Sequence, residues 1–191
     1  MAVPAEILLI NVDYVKKLTA INQAVDDNFI KAAMYIAQDK WIQPYLGDDL
    51  MAKLKADTDA GTIANPYLLL RDTYCAKAIV WWTAVELLPY LTYKIDNGTL
   101  VQRISEDSQP VTDQVSKDMI DRARTNAQYY TQRIIDYLCA NSASFPEYSS
   151  NAWPERSPRT NVKGAMVFSI SDGNTASSRT GNTNIRLSQI P

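Results

Sequence analysis

The side chains of this 191-residue chain that could do chemistry are doubled carboxylates, two cysteines and doubled aromatics, with no histidine beside them. Carboxylates converging on a pocket can share acid and base work. Asp26-Asp27 and Asp48-Asp49 are the adjacent aspartate pairs, and each sits where a helical pattern begins. Acids in that position cap the helix and favour the positive end of its dipole. Histidine is the side chain whose ordinary pKa lies nearest neutrality and the commonest metal ligand, so its absence excludes a Ser-His-Asp triad and any histidine-bearing zinc site. The phosphate-cradling patterns GxGxxG and GxxxxGK and the nucleophile elbow GxSxG are missing, and Asp57–Gly61 lacks the spacing and closing Glu of a calcium loop. The residues point away from an enzyme, and no cofactor or metal is expected. The enzymatic alternative is a mechanism using carboxylates alone or a Ser-Lys pair.

Cys75 and Cys139 lie 64 positions apart in apolar, helix-patterned surroundings. That context predicts two buried reduced thiols rather than a disulfide framework. Trp81-Trp82 and Tyr129-Tyr130 could be stacking platforms for bases. Neighbours on a helix point about 100° apart, so the better expectation is one ring of each pair in the core and the other in a groove or against a neighbour.

The elements that must position these residues follow from apolar spacing. From Asp26 to Gln43, Ile30, Ala33, Ala37, Trp41 and Tyr45 recur at threes and fours behind Asp26 or Asp27 as N-cap, which predicts an amphipathic helix. Pro44 and Gly47 punctuate its end, Asp48 caps a short helix carrying Leu50 and Leu54, and the DTDAG run reads as a loop. Asn65-Pro66 opens the longest apolar segment, through Leu69, Tyr74, Val80, Trp81 and Leu88 towards Tyr93. A helix apolar on most sides belongs at a bundle centre. Pro89 should kink or divide it, and Asn97-Gly98 should end it. Thr99–Ser105 fits a short strand or an extended connection. After Pro110 and a Thr112 or Asp113 cap, Val115, Met119, Ala123, Ala127, Tyr130, Ile134 and Tyr137 predict a second long helix of some 28 residues. The fold class is all-α, a small helical bundle.

Composition changes near residue 140. Of the 51 residues from Asn141 to Pro191, 15 are apolar and 23 are Ser, Thr, Asn or Gly, too little to carry a separate core. The chain therefore divides into a helical body, residues 1–140, and an extended polar C-terminal arm, residues 141–191. Met166, Phe168 and Ile170 alternate with Val167 and Ser169, and Ile185 and Leu187 alternate likewise, so the arm could form a short β-hairpin on a neighbouring subunit. Trp153, Val167, Phe168, Ile170, Ile185 and Leu187 are the expected interface residues, Trp153 as an anchor in a polar, Pro-rich stretch.

The whole chain has 19 Lys and Arg against 21 Asp and Glu, a net charge of −2. The arm holds Arg156, Arg159, Lys163, Arg179 and Arg186 against Glu147, Glu155 and Asp172, so five bases less three acids leave +2 there, and the body is −4. No general excess of base drives phosphate binding, although the arm's arginines keep a nucleic-acid-binding accessory protein as an alternative. The N-terminal stretch MAVPAEILLINVD lacks the cationic start of a signal peptide. AIVWWTAVELLPYL is interrupted by Glu86 and Pro89, short of the roughly 20 apolar residues of a membrane span. No membrane association is expected.

The stretch IKAAMYIAQDKWIQPYLGDDLMAKL, behind an acidic cap, resembles the first helices of the head-tail connector, or adaptor, proteins of tailed bacteriophages. LTYKIDNGTLVQRISEDSQPV and the helix end IIDYLCANSASFPEY are similar to the variant of that family found in phages of Bacteroidetes-like hosts, crAss-like phages included. The likeness covers about residues 10–150 and leaves the arm beyond Trp153 unmatched. It implies a non-enzymatic virion protein made in the host cytoplasm and placed at the capsid-tail junction. There it would form a homo-oligomeric ring, usually of twelve subunits, between the portal protein and tail proteins, with DNA passing through the lumen without specific binding. For Asp26, Ile30, Tyr45, Leu46 and Gly47 it implies structural roles only. Another tail-completion protein is the alternative within the same particle.

Overall fold

The structure, a computed structural model, describes residues 6–96, 99–102 and 113–149. It is an all-α bundle with one short β-hairpin. Its centre is an antiparallel helix pair, α6 (Ala76–Thr92) and α7 (Asp113–Ala140). The ring of Tyr74, just ahead of α6, stacks on that of Tyr137, while Trp82 bonds Thr131, which fixes the opposed directions. Around them lie α1 (Val12–Leu18), α2 (Asp27–Ile36), α3 (Gln43–Leu46), α4 (Asp48–Asp59), α5 (Tyr67–Leu69) and α8 (Pro146–Ser149).

The Asp26 carboxylate accepts from the Asn28 N–H at 2.8 Å, the N-cap expected of α2, and Ile30, Ala33 and Met34 turn inward. The helix then changes geometry. Residues Ala37–Ile42 are π-helical, not the α-helical continuation the spacing predicts. A π-turn admits one extra residue and re-phases the helix beyond it. Gln38, four residues on from the buried Met34, faces inward and is fully buried, and its amide accepts from the Leu9 N–H at 2.7 Å and donates to the Ile7 carbonyl at 3.1 Å. A side chain thus stands in for a strand partner and fastens residues 6–10 to the bundle. Gln38→Ala leaves the buried Leu9 N–H without an acceptor, a cost of about 2 kcal/mol. Urea unfolding should show that loss, with hydrogen exchange rising first at Leu9. An unchanged midpoint would mean that the clasp contributes nothing.

Gly47, at φ 82°, closes α3 and precedes Asp48 without a side-chain cap. A Cβ at that φ is strained. Asp48 opens α4 but is not its N-cap, and its carboxylate accepts from Gln43 Nε2 at 2.7 Å. The DTDAG run is not all loop. α4 continues through Asp59, aided by the Lys53–Asp57 ion pair at 3.1 Å, before Gly61 turns the chain.

A second π-helical turn, Leu70–Cys75, breaks the long apolar segment between α5 and α6. Pro89, by contrast, lies within α6, which ends three residues later at Thr92. Its missing N–H removes one bond of the ladder, and only three residues of helix follow it. Tyr93–Asp96 forms strand β1, antiparallel to β2 (Thr99–Gln102) in the register Tyr93 to Gln102 and Asp96 to Thr99. The helix therefore ends at Thr92, ahead of Asn97 and Gly98, which were expected to end it and lie outside the described residues.

α7 spans the predicted 28 residues. Its inward face holds Ala123, Ala127, Ile134 and Leu138, but Val115 and Met119, expected on the same core stripe, are exposed. The composition boundary at residue 140 is not where packing stops. Phe145 is fully buried, edge-on to Tyr67 and Tyr137 at 5.3 and 5.9 Å, and Tyr67 donates to Glu147 at 2.7 Å. Residues 141–149 are therefore packed on the body, and the rest of the arm, 150–191, lies outside the described residues.

Among the described residues two buried hydroxyls, those of Thr83 and Tyr148, have no hydrogen-bond partner. The Thr83 side chain is fully buried. Thr83→Val removes an orphaned polar group at nearly constant shape and should raise stability by about 1 kcal/mol, read as a higher melting temperature.

Candidate interaction groove

The doubled carboxylates do not converge. Asp26 caps α2, Asp27 pairs with Lys16 at 2.7 Å, and Asp48 and Asp49 fill the first turn of α4. The Lys16 ammonium, bonded to Asp27 at the surface, lowers that carboxyl's pKa. Among the described residues no group of three His, Cys, Asp or Glu could hold a metal ion, and no helix is long and apolar enough to cross a membrane. Both cysteines are free, but only Cys75 is buried, and burial pushes its thiol up to about 12. Cys139 is exposed because α7 ends there, contrary to the expectation from its apolar neighbours.

The doubled aromatics divide as their helical angle requires. Trp82 is buried, stacked on Trp41 with ring centroids 3.9 Å apart, and its Nε1 donates to Thr131 Oγ1 at 2.9 Å. Trp41 is held in turn by Glu86, whose carboxylate accepts from Trp41 Nε1 at 2.6 Å and from Lys40 at 2.9 Å. Tyr130 packs on the core while Tyr129 is 60% exposed. Trp81, turned away from Trp82, lies in the floor of a groove.

That groove, about 560 Å³, runs between the α1–α2 loop and α7 over the surface of α6. Trp81, Leu88 and Leu91 floor it, Ile21 and Val25 form the loop wall, and Met119 stands on α7 opposite. Ala84 and Ala123 also line it. Their short side chains keep α6 and α7 close without filling the furrow between loop and helix. Asn22, Arg122 and Asn126 supply a polar rim. An apolar trough with a polar border suits an apolar peptide segment better than a reaction. A second depression, about 450 Å³, lies by Asn11 and Tyr14, and its Arg71 already bonds Asp72 at 2.7 Å and Thr58 at 3.4 Å.

The aromatic seat of residues 141–149 carries the main titrations. Burial, then the Glu147 hydrogen bond and charge, pushes Tyr67 up to about 12; burial also raises Tyr137 and Tyr148. Each folded pKa lies above the unfolded value of about 10, and that of Cys75 above about 8.5. Their contribution is complete below those unfolded values and is lost as pH rises above them, through about 12 for Tyr67 and Cys75. Urea midpoints should hold to about pH 8.5 and fall towards pH 11, less steeply in Tyr67→Phe. A flat profile would contradict the seat.

All six expected interface residues, Trp153, Val167, Phe168, Ile170, Ile185 and Leu187, lie outside the described residues. One ring of the tryptophan pair was expected in a groove or against a neighbour, but the groove's walls were not anticipated. Its signal was present in Met119, whose exposure at 45% shows that the apolar stripe of α7 runs past what the body covers. No curated protein and no solved structure matches the chain. Residues 42–157, which reach from α3 through the central pair to beyond α8 and make up more than half of the sequence, match one family model, and the chain belongs to that family, DUF6712, a family of unknown function.

Proposed function

We propose that the protein is a structural part of a tailed-phage particle, a connector that assembles as a ring, of twelve subunits as the resemblance implies, between portal and tail proteins. On this reading it catalyses nothing, needs no cofactor, and lets DNA pass through its lumen. The observation that carries the reading is the Ile30–Leu54 stretch, behind the Asp26 cap, that resembles the connectors. Its residues hold purely architectural positions, Asp26 as a cap, Ile30, Tyr45 and Leu46 in the core, and Gly47 at a positive φ. A net acidic body also fits, since a strongly basic lumen would grip DNA.

Deleting residues 155–191 should abolish ring or partner assembly, measured by light scattering and negative-stain microscopy. Unchanged assembly would sink the arm's part in it. Micrographs of the particle neck, with mass spectrometry of purified virions, test the location. The arm's five bases favour the second reading, a nucleic-acid accessory protein. It requires duplex DNA binding that weakens steeply with salt, whereas the connector reading expects no such slope.

A further inference from the structure

We infer that the groove over α6 receives the apolar run Ala165–Ile170 from the arm of a second copy of this chain. The run is the most apolar stretch beyond Ser149, and Met166, Phe168 and Ile170 fall on one side of an extended backbone. A cavity of about 150 Å³ takes one benzene, so a groove of about 560 Å³ has room for such a row of side chains. Asp172 follows two residues later and would meet Arg122 at the rim.

Chain length brings a neighbouring copy's groove within reach. The arm leaves the body after α8, beside Tyr67 and the C-terminal end of α7, whereas Met119 lies 21 residues back along that helix, about 30 Å away. Fifteen residues, 150–164, separate the last described residue from the run. Pro154 and Pro158 favour extended backbone around them, and fifteen extended residues cover about 45 Å. That is an upper reach, which also covers the roughly 30 Å to the chain's own groove, and the choice of the neighbour follows from the proposed reading. The same reach exceeds one body diameter of about 35–40 Å, so an adjacent copy lies within reach of the run. The contact is heterologous and so propagates from copy to copy. The inference rests on the proposed reading only in taking the arm to reach a neighbour.

The test is disulfide trapping in a Cys139→Ser background, where the remaining Cys75 is buried. Full-length Met119→Cys protein is mixed with full-length Phe168→Cys protein under mild oxidation, and the joined peptides are identified by mass spectrometry. A 119–168 bond in this mixture can form only between chains, and it is the expected result. Tyr129→Cys, exposed outside the groove, should trap at least tenfold less. A chain carrying both Met119→Cys and Phe168→Cys that closes on itself at all dilutions would overturn the inference in favour of the chain's own groove. Absence of any 119–168 bond, or equal trapping at position 129, would overturn it outright. If assembly still depends on residues 155–191 when that bond is absent, the connector reading stands and the groove assignment fails. A bond formed by a protein missing from phage necks would support the groove assignment and overturn the connector reading.

Discussion

Trp82→Ala is expected to cost about 3–5 kcal/mol, the largest loss of any single truncation in the bundle. The ring is 1% exposed, lies parallel to Trp41 at 3.9 Å, and donates to a threonine that itself bonds the Ala127 carbonyl at 2.8 Å. Removing it opens a large void between α2 and the central pair and takes away the donor to Thr131. It also frees one face of Trp41, so the Glu86 bonds no longer hold a packed ring. Since domains of this size are stable by only about 5–15 kcal/mol, the variant should be marginal at 37 °C. Trp82→Phe separates the contributions, because it retains most of the packing and loses the indole N–H. Its cost should be nearer 1–2 kcal/mol. Urea titration followed by circular dichroism reads both, and equal losses in the two variants would show that the hydrogen bond rather than the stack dominates.

Phe145→Ala should cost about 3–5 kcal/mol if the body unfolds as one unit, and its meaning is topological. Phe145 lies past the end of α7, in a stretch whose composition already looks like tail. Yet it is sealed between Tyr67 and Tyr137 and belongs to the main core. Truncation after residue 149 should leave the melting temperature of the body unchanged, whereas truncation after residue 140 should lower it by at least ten degrees or so. Limited proteolysis gives an independent reading, with Phe145→Ala cut between residues 141 and 149 before any cut in α7. If both truncations melt alike, the aromatic seat is decoration on a core that is complete without it.

Long periodic elements were legible because burial of one helix face leaves a repeat in the residues themselves. α7 matched its predicted length, and the apolar α6 sat at the centre as its even coating of Ile79, Val80, Trp82 and Leu87 required. What could not be read were departures from 3.6-residue periodicity. Both π-turns re-phase by one residue the helix that follows them, and nothing in a 3.6-residue repeat announces them. Composition averaged over the arm likewise hid Phe145, since one buried aromatic hardly alters a polar stretch. The groove's walls were hidden for a related reason. Met119 continues the stripe of α7 without a break, and only the placement of the α1–α2 loop shows that the stripe outruns its cover.

The antiparallel central pair also has a mechanical consequence. The hairpin leaves from one end of α6 and α7 and the arm from the other, with the 28 residues of α7 between them, a length of about 42 Å. Tension on the arm enters at Ser149 and meets α8, the Tyr67–Glu147 bond and the Phe145 seat, contacts that can be peeled one after another. Beyond them, the same pull would run along the axis of α7 and load its whole interface with α6 in shear, where many contacts must yield together. Residues 141–149 thus act as a short, sacrificial extension that lengthens under load before the force reaches the bundle.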